Sequence, residues 1–137
     1  MVNKQKLLWI KQKYGPYIRK ASKNYGIPEN LIAAIIYTES KGNPYVKGAF
    51  GDKGLMQVTD SAIRDLGYDP DEVNLFDPET NIMFGTAYLA RLKYTYGLDT
   101  WEKVIRGYNG GPTGYKKPQT VAYYQRVMAA WRALENA

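Results

Sequence analysis

The stretch LIAAIIYTES, residues 31–40, constrains the fold more than any other part of the chain. Its apolar run belongs to a helix predicted over 28–40, opened by Pro28 at a first-turn position that tolerates a missing N–H. Glu39 follows Ile32 by seven residues, Ile35 by four and Ile36 by three, so it extends the stripe that those side chains bury. A chain folded around this helix must carry a carboxyl group to the edge of its core. The C-terminal end of a helix also disfavours negative charge. Desolvation and the helix dipole both favour the neutral acid and raise its pKa. A carboxylic acid still protonated near neutral pH is what glycosidic-bond cleavage needs. The plainer alternative is a glutamate bent outward to solvent or bonded to a backbone amide.

Helical periodicity dominates the rest. Helices are expected over about 4–13, from Pro16 to about Tyr25, at 60–66 up to Gly67, and over 78–96 with Asp77 as cap. Another opens at DTWEKVIRGYN, capped by Asp99 or Thr100, with Trp101, Val104, Ile105 and Tyr108 inward and Arg106 outward. The last runs over about 119–135, with Tyr124, Val127, Met128 and Trp131 on one face. Residues 41–59 hold four glycines and a proline and read as loop, with a short hairpin around GAFGDKGLMQV. DPDEVNLFDP reads as loop. The fold class expected is a mostly α globule with a short hairpin or loop insertion after the Glu39 helix. The chain's 137 residues suit a single domain, with no internal repeat and no linker.

Several chemistries are excluded outright. There is no cysteine and no histidine, so thiol nucleophiles, disulfides, Ser-His-Asp triads and metals held by Cys or His cannot occur. No metal or cofactor is expected. The acid–base candidates that remain are thirteen carboxylates, with Tyr and Lys. No apolar run approaches the roughly 20 residues that span a bilayer, so membrane insertion is not expected. The patch LLWI behind the basic N-terminus is too short for a signal-peptide core. Export by another route, a removed leader, or no leader at all would each fit.

The net charge of +6 would draw the chain to nucleic acid, anionic membrane or anionic wall polymer. Its densest basic cluster is N-terminal: Lys4, Lys6, Lys11, Lys13, Arg19, Lys20 and Lys23. No helix carries the one-sided Arg/Lys pattern of a recognition helix, so nucleic acid is not an expected partner.

Two further segments could join Glu39. In GDKGLMQV, glycines permit close backbone approach to a ligand, and Gln57 offers a neutral donor and acceptor for acetamido or hydroxyl groups. In GYNGGP, Tyr108 continues an apolar helical face, so its hydroxyl needs an inward partner, for which a buried carboxyl is the obvious candidate. Asn109 begins the turn.

In order and spacing, ESKGNP, GLMQV, DPETNIMFGTAYL and GYNGGP resemble the soluble-lytic-transglycosylase-type domain of the lysozyme-like superfamily, a relative of goose-type lysozyme. The resemblance covers roughly residues 16–131. It implies a peptidoglycan enzyme that cleaves the β-1,4 bond between N-acetylmuramic acid and N-acetylglucosamine. Glu39 would be the catalytic acid and base, with Ser40 beside it. Met56 and Gln57 would line the sugar cleft, Tyr108 would bond and orient Glu39, and Asn109 would contact substrate. Tyr123, in TVAYYQRV, matches a tyrosine that the family carries near the cleft. One carboxyl would serve two steps, protonating the leaving oxygen and then taking the C6 hydroxyl proton as a 1,6-anhydro ring closes. Asp52 resembles an aspartate of goose-type lysozymes that positions water, so plain hydrolysis is an alternative; an Asp-Lys-Gly turn in solvent is the other. A glycan-binding module without catalysis is a further alternative. The expected partners are peptidoglycan glycan strands, met as a monomer at the cell wall in the periplasm or outside the cell. An endolysin, a virion-associated enzyme or an excised domain would each look like this.

Overall fold

A computed structural model describes all of residues 1–137. Seven α-helices carry the chain: α1 Lys4–Lys13, α2 Gly15–Tyr25, α3 Glu29–Ser40, α4 Asp60–Asp65, α5 Pro78–Ala90, α6 Trp101–Gly110 and α7 Gln119–Glu135. Their starts follow from side chains that take up the first free N–H groups. The side chains of Asn3, Thr59, Asp77 and Thr100 accept from the amides of Lys6, Ala62, Thr80 and Lys103. Asp99, the other candidate cap for α6, bonds the Lys103 ammonium instead at 3.0 Å. Gly26, at φ +69°, closes α2 with the left-handed residue that such an ending favours.

The helix around Glu39 is central, as its composition demands. In α3, every residue from Leu31 to Tyr37 is buried. It packs on α1, α2 and α7; α5 packs on α2 and α6, and α6 on α7. One apolar cluster draws buried residues from all seven helices.

Four expectations need correction. The helix expected over 78–96 is α-helical only to Ala90, then widens into a π turn over Arg91–Thr95. The widened turn brings Arg91 and Tyr96 onto one carboxylate, Asp65, at 3.0 and 2.9 Å. Within DPDEVNLFDP, Pro70–Glu72 forms one 3-10 turn, started by the Asp69 side chain. The hairpin at GAFGDKGLMQV reduces to isolated antiparallel bridges, Lys47 to Lys53 and Lys53 to Val58. Gly51 and Gly54 have φ of +76° and +77°, which breaks strand geometry on both sides of Lys53. The core stripe of α7 is Thr120, Tyr123, Val127, Ala130 and Leu134, so Tyr124, Met128 and Trp131 flank the core rather than lead it.

Arg106 also turns inward, against expectation. It pairs with Glu102 at 3.0 Å and donates to the hydroxyl of buried Thr120 at 2.8 Å, which ties α6 to the start of α7. Gly110 lets these elements close, because a Cβ there would lie 2.8 Å from the Thr120 methyl group, and Gly107 packs instead on Leu98 and Leu92.

Candidate active site

Glu39 occupies the last turn of α3 and is half-buried. The Tyr123 hydroxyl donates to its Oε2 at 2.8 Å. Its pKa is raised from 4.5 to about 7, chiefly by burial and in smaller part by the negative charge of Asp52. The Tyr123 hydrogen bond and the positive Arg126 act the other way. The group is therefore a carboxyl poised to give and accept a proton near neutrality, with one oxygen held by a phenol.

The expected contact from Tyr108 to Glu39 is not made. The Tyr108 hydroxyl donates to the Met56 carbonyl at 2.7 Å. The phenol that reaches Glu39 comes from α7 because the α7 stripe turns Tyr123 into the core. Tyr108 still lies within electrostatic reach, since the Glu39 charge raises its pKa after burial has done so. Its ring meets Tyr88 edge-on, with centroids 5.9 Å apart. Tyr88, Tyr108, Gln57 and Val58 border a small cavity of about 30 Å³.

Of the other expected site residues, Ser40 and Gln57 are held by bonds to main-chain atoms and Met56 by packing. Ser40 is buried, with its hydroxyl 2.7 Å from the Leu55 carbonyl and 3.2 Å from the Gly42 amide that it accepts from. It stitches the end of α3 to the insertion. The Met56 side chain is fully buried against Gly85, where a Cβ would crowd its sulfur. Gln57 is also buried, and its amide nitrogen donates to the Val46 and Gly54 carbonyls, each at 3.0 Å. Its φ of +49° is unusual for a residue with a side chain, so these bonds hold a strained turn. Asn109 lies inside α6, which runs on to Gly110, and is exposed. Asp52 is half-exposed, and its Oδ1 accepts from the Phe50 amide at 3.2 Å.

Asn81 was not singled out from sequence, yet it holds the insertion in place. It is fully buried on α5. Its Oδ1 accepts from the Met56 amide at 2.7 Å, and its Nδ2 donates to the Lys53 and Leu75 carbonyls, each at 2.8 Å. A Cβ on Gly54 would collide with the Leu75 carbonyl and with Asn81, so glycine is required beside it. The available signal was an asparagine next to Ile82 inside an apolar helix. Arg126, one turn beyond Tyr123, was also missed. With Tyr37, Thr38 and Lys41 it lines a groove of about 380 Å³, and its charge reaches Glu39.

The transglycosylase SLT domain family matches residues 16–126. Membrane-bound lytic murein transglycosylase C of Pectobacterium atrosepticum is 47% identical over 112 residues, which is 72% of this chain and 31% of that protein. The Serratia proteamaculans protein of the same name is 44% identical over the same extent. The chain thus spans about a third of the length of these relatives. Among solved structures, the 70 kDa soluble lytic transglycosylase of Escherichia coli superposes with a TM-score of 0.74 at 24% identity, covering 92% of this chain and 25% of that one. Lytic transglycosylase Slt of Pseudomonas aeruginosa gives 0.73 at 22%, covering 86% and 23%. The fold is therefore the mostly α, lysozyme-like class expected from the motifs.

Proposed function

Because the chain belongs to the transglycosylase SLT domain family, we propose that it cleaves the β-1,4 bond between N-acetylmuramic acid and N-acetylglucosamine in peptidoglycan, leaving a 1,6-anhydro end. The observation that carries this reading is the Glu39–Tyr123 pair: a partly desolvated carboxyl at the end of a buried helix, gripped on one oxygen by a phenol. Oε2 is engaged by Tyr123, which leaves Oε1 to meet the glycosidic oxygen. Glu39 begins protonated and donates its proton as the bond breaks. The carboxylate so formed takes the proton of the muramic acid C6 hydroxyl, and that oxygen closes on C1. Tyr123 keeps its own proton through both steps, since burial and the adjacent Glu39 charge hold its pKa well above the usual phenol value. It stabilises the carboxylate between the steps and fixes its orientation. We assign Glu39 as the catalytic residue and Tyr123 as its positioning residue. Tyr108, Ser40 and Gln57 shape the wall through bonds to main-chain atoms.

Mass spectrometry of digested peptidoglycan tests the reaction type. Transglycosylation yields muropeptides one water lighter than hydrolysis does. Hydrolysis is retained as a second reading because the Asp52 charge reaches Glu39. Water-containing products that vanish in Asp52→Asn would establish it. Absence of any cleavage would favour a glycan-binding module.

The pH profile follows from the acid role. Activity requires protonated Glu39, so kcat/KM should hold at acidic pH and fall as pH rises through about 7. A profile still rising at pH 8 would remove Glu39 as the acid. Tyr123→Phe deletes a bond that favours the carboxylate, so the alkaline limb should move to higher pH. Loss of the charge-assisted bond should also lower kcat roughly ten- to a hundredfold. Tyr108→Phe should leave the limb in place, because its hydroxyl serves the Met56 carbonyl.

The place of action proposed is the cell wall. No helix of the chain is long and apolar enough to cross a membrane.

A further inference from the structure

The N-terminal basic cluster plays no part in the chemistry above, yet the fold gathers part of it into a shaped surface. Lys6 and Lys13 stand over the Trp9 ring at 4.9 and 5.7 Å. Together with Lys41 and Tyr45 they line a groove of about 500 Å³. Its floor is fixed: the Tyr14 hydroxyl donates to the Gly42 carbonyl at 2.9 Å, and Gly42 packs so closely on Trp9 that a Cβ would sit 2.7 Å from the ring. Tyr45 is 75% exposed at the rim.

Lys41 also lines the neighbouring groove that holds Arg126, the cation whose charge reaches Glu39. The two grooves therefore meet at one side chain. Neither is lined by an acid. The chain forms ion pairs at five other places, but none involves Lys6, Lys13, Lys41 or Arg126. Lys41 is also conformationally unexpected. It caps α3 at φ +55°, in the left-handed region where glycine is the usual residue. A cation is thus kept at the junction in spite of the backbone.

We propose that these grooves form one track that binds the carboxylate-bearing peptide branches of peptidoglycan while the sugar backbone lies at Glu39. The proposal rests on the function proposed above and adds a substrate determinant to it. Charge complementarity selects the occupant, because the glycan backbone is neutral and the free carboxylates of peptidoglycan sit on its peptide branches. Trp9 and Tyr45 offer flat apolar faces to the alanyl side chains between those carboxylates.

The test uses the variant Lys6→Gln/Lys13→Gln/Lys41→Gly, in which glycine also relieves the backbone at 41. Its control is Lys4→Gln/Lys23→Gln/Lys117→Gln, which removes the same charge elsewhere. Two soluble substrates are compared: glycan strands with intact peptides, and strands stripped of peptides by an amidase, whose freed lactyl carboxylates are then capped as methylamides so that the strand is neutral. The track variant should lose about tenfold in kcat/KM on the peptide-bearing strands, through KM, and match the parent on stripped strands. The control should match the parent on both. Equal losses on both substrates, or none, would overturn the proposal. Cosedimentation with intact sacculi reads binding without turnover. Track-variant binding should be weaker at low salt and unchanged when sacculi are first freed of phosphodiester-linked polymers with hydrofluoric acid. If that treatment abolishes parent binding, the track serves phosphate rather than carboxylate and the proposal fails. Failure of the parent to cleave either substrate would instead sink the proposed reaction, while the sacculus assay would still decide the track.

Discussion

Glu39→Gln should abolish bond cleavage and at the same time make the protein more stable. The two effects have one origin. Glutamine keeps the shape and an oxygen for the Tyr123 hydroxyl, but it has no proton to give and no basic oxygen to receive one. General acid–base catalysis by one group accounts for roughly 10²–10⁴ in rate, and Glu39 serves both halves of the reaction, so the loss should be at least about 10³-fold. Release of soluble anhydro-muropeptides measures it. A variant that keeps a tenth of the parent rate would refute the assignment.

The stability gain has a defined pH window. Below pH 4.5 the carboxyl is neutral in both the folded and the unfolded chain, and the substitution changes little. Between 4.5 and about 7 the unfolded chain has shed a proton that the folded chain still holds, so the parent loses stability as pH rises. Above about 7 the difference is complete, on the order of 2–3 kcal/mol. Glu39→Gln escapes it. Thermal melts should show the variant several degrees above the parent at pH 8, with the two close together at pH 4. Equal melting at both pH values would mean that the carboxyl is well solvated.

The second large effect is structural. Asn81→Ala leaves the Met56 amide and the Leu75 carbonyl without their partner in a buried place, while the Lys53 carbonyl keeps its bond from the Val58 amide at 3.0 Å. Each buried group left unpaired costs about 1–3 kcal/mol, so the total for the two should be on the order of 2–6 kcal/mol. Urea unfolding measures it. Because Ser40, next to Glu39, bonds the Leu55 carbonyl of the same segment, activity should fall with stability, while the helical signal in circular dichroism stays near the parent's. A destabilisation under about 1 kcal/mol would show that the insertion is held by something else.

Much of this architecture was legible because its signals are local. Periodicity and the caps at Asp77 and Thr100 placed the helix starts within a residue or two, and the position of Glu39 on the α3 stripe placed a carboxyl at the core's edge. The π turn after Ala90 was not legible, since it depends on Asp65 lying where Arg91 and Tyr96 can share it. The phenol partner of Glu39 was missed for a similar reason. Tyr108 and Tyr123 both point inward, and only the way α7 crosses α3 decides which hydroxyl arrives. A shift of one residue in the α7 stripe, from Tyr124 to Tyr123, carries the difference. The insertion was hardest to read. Its order comes from buried polar side chains that bond backbone far away in sequence, and such pairings leave no periodic trace.

Ser40, Asn81 and Tyr108 share a habit: each sits on a helix and grips main-chain atoms of the insertion, never its side chains. The grip is therefore blind to what the residues between Asn43 and Asp52 display. The molecule behaves as a fixed acid facing an exchangeable cassette. Descendants of such a chain are free to rewrite the opposing face, for instance trading ring closure for attack by water, without renegotiating how the body folds.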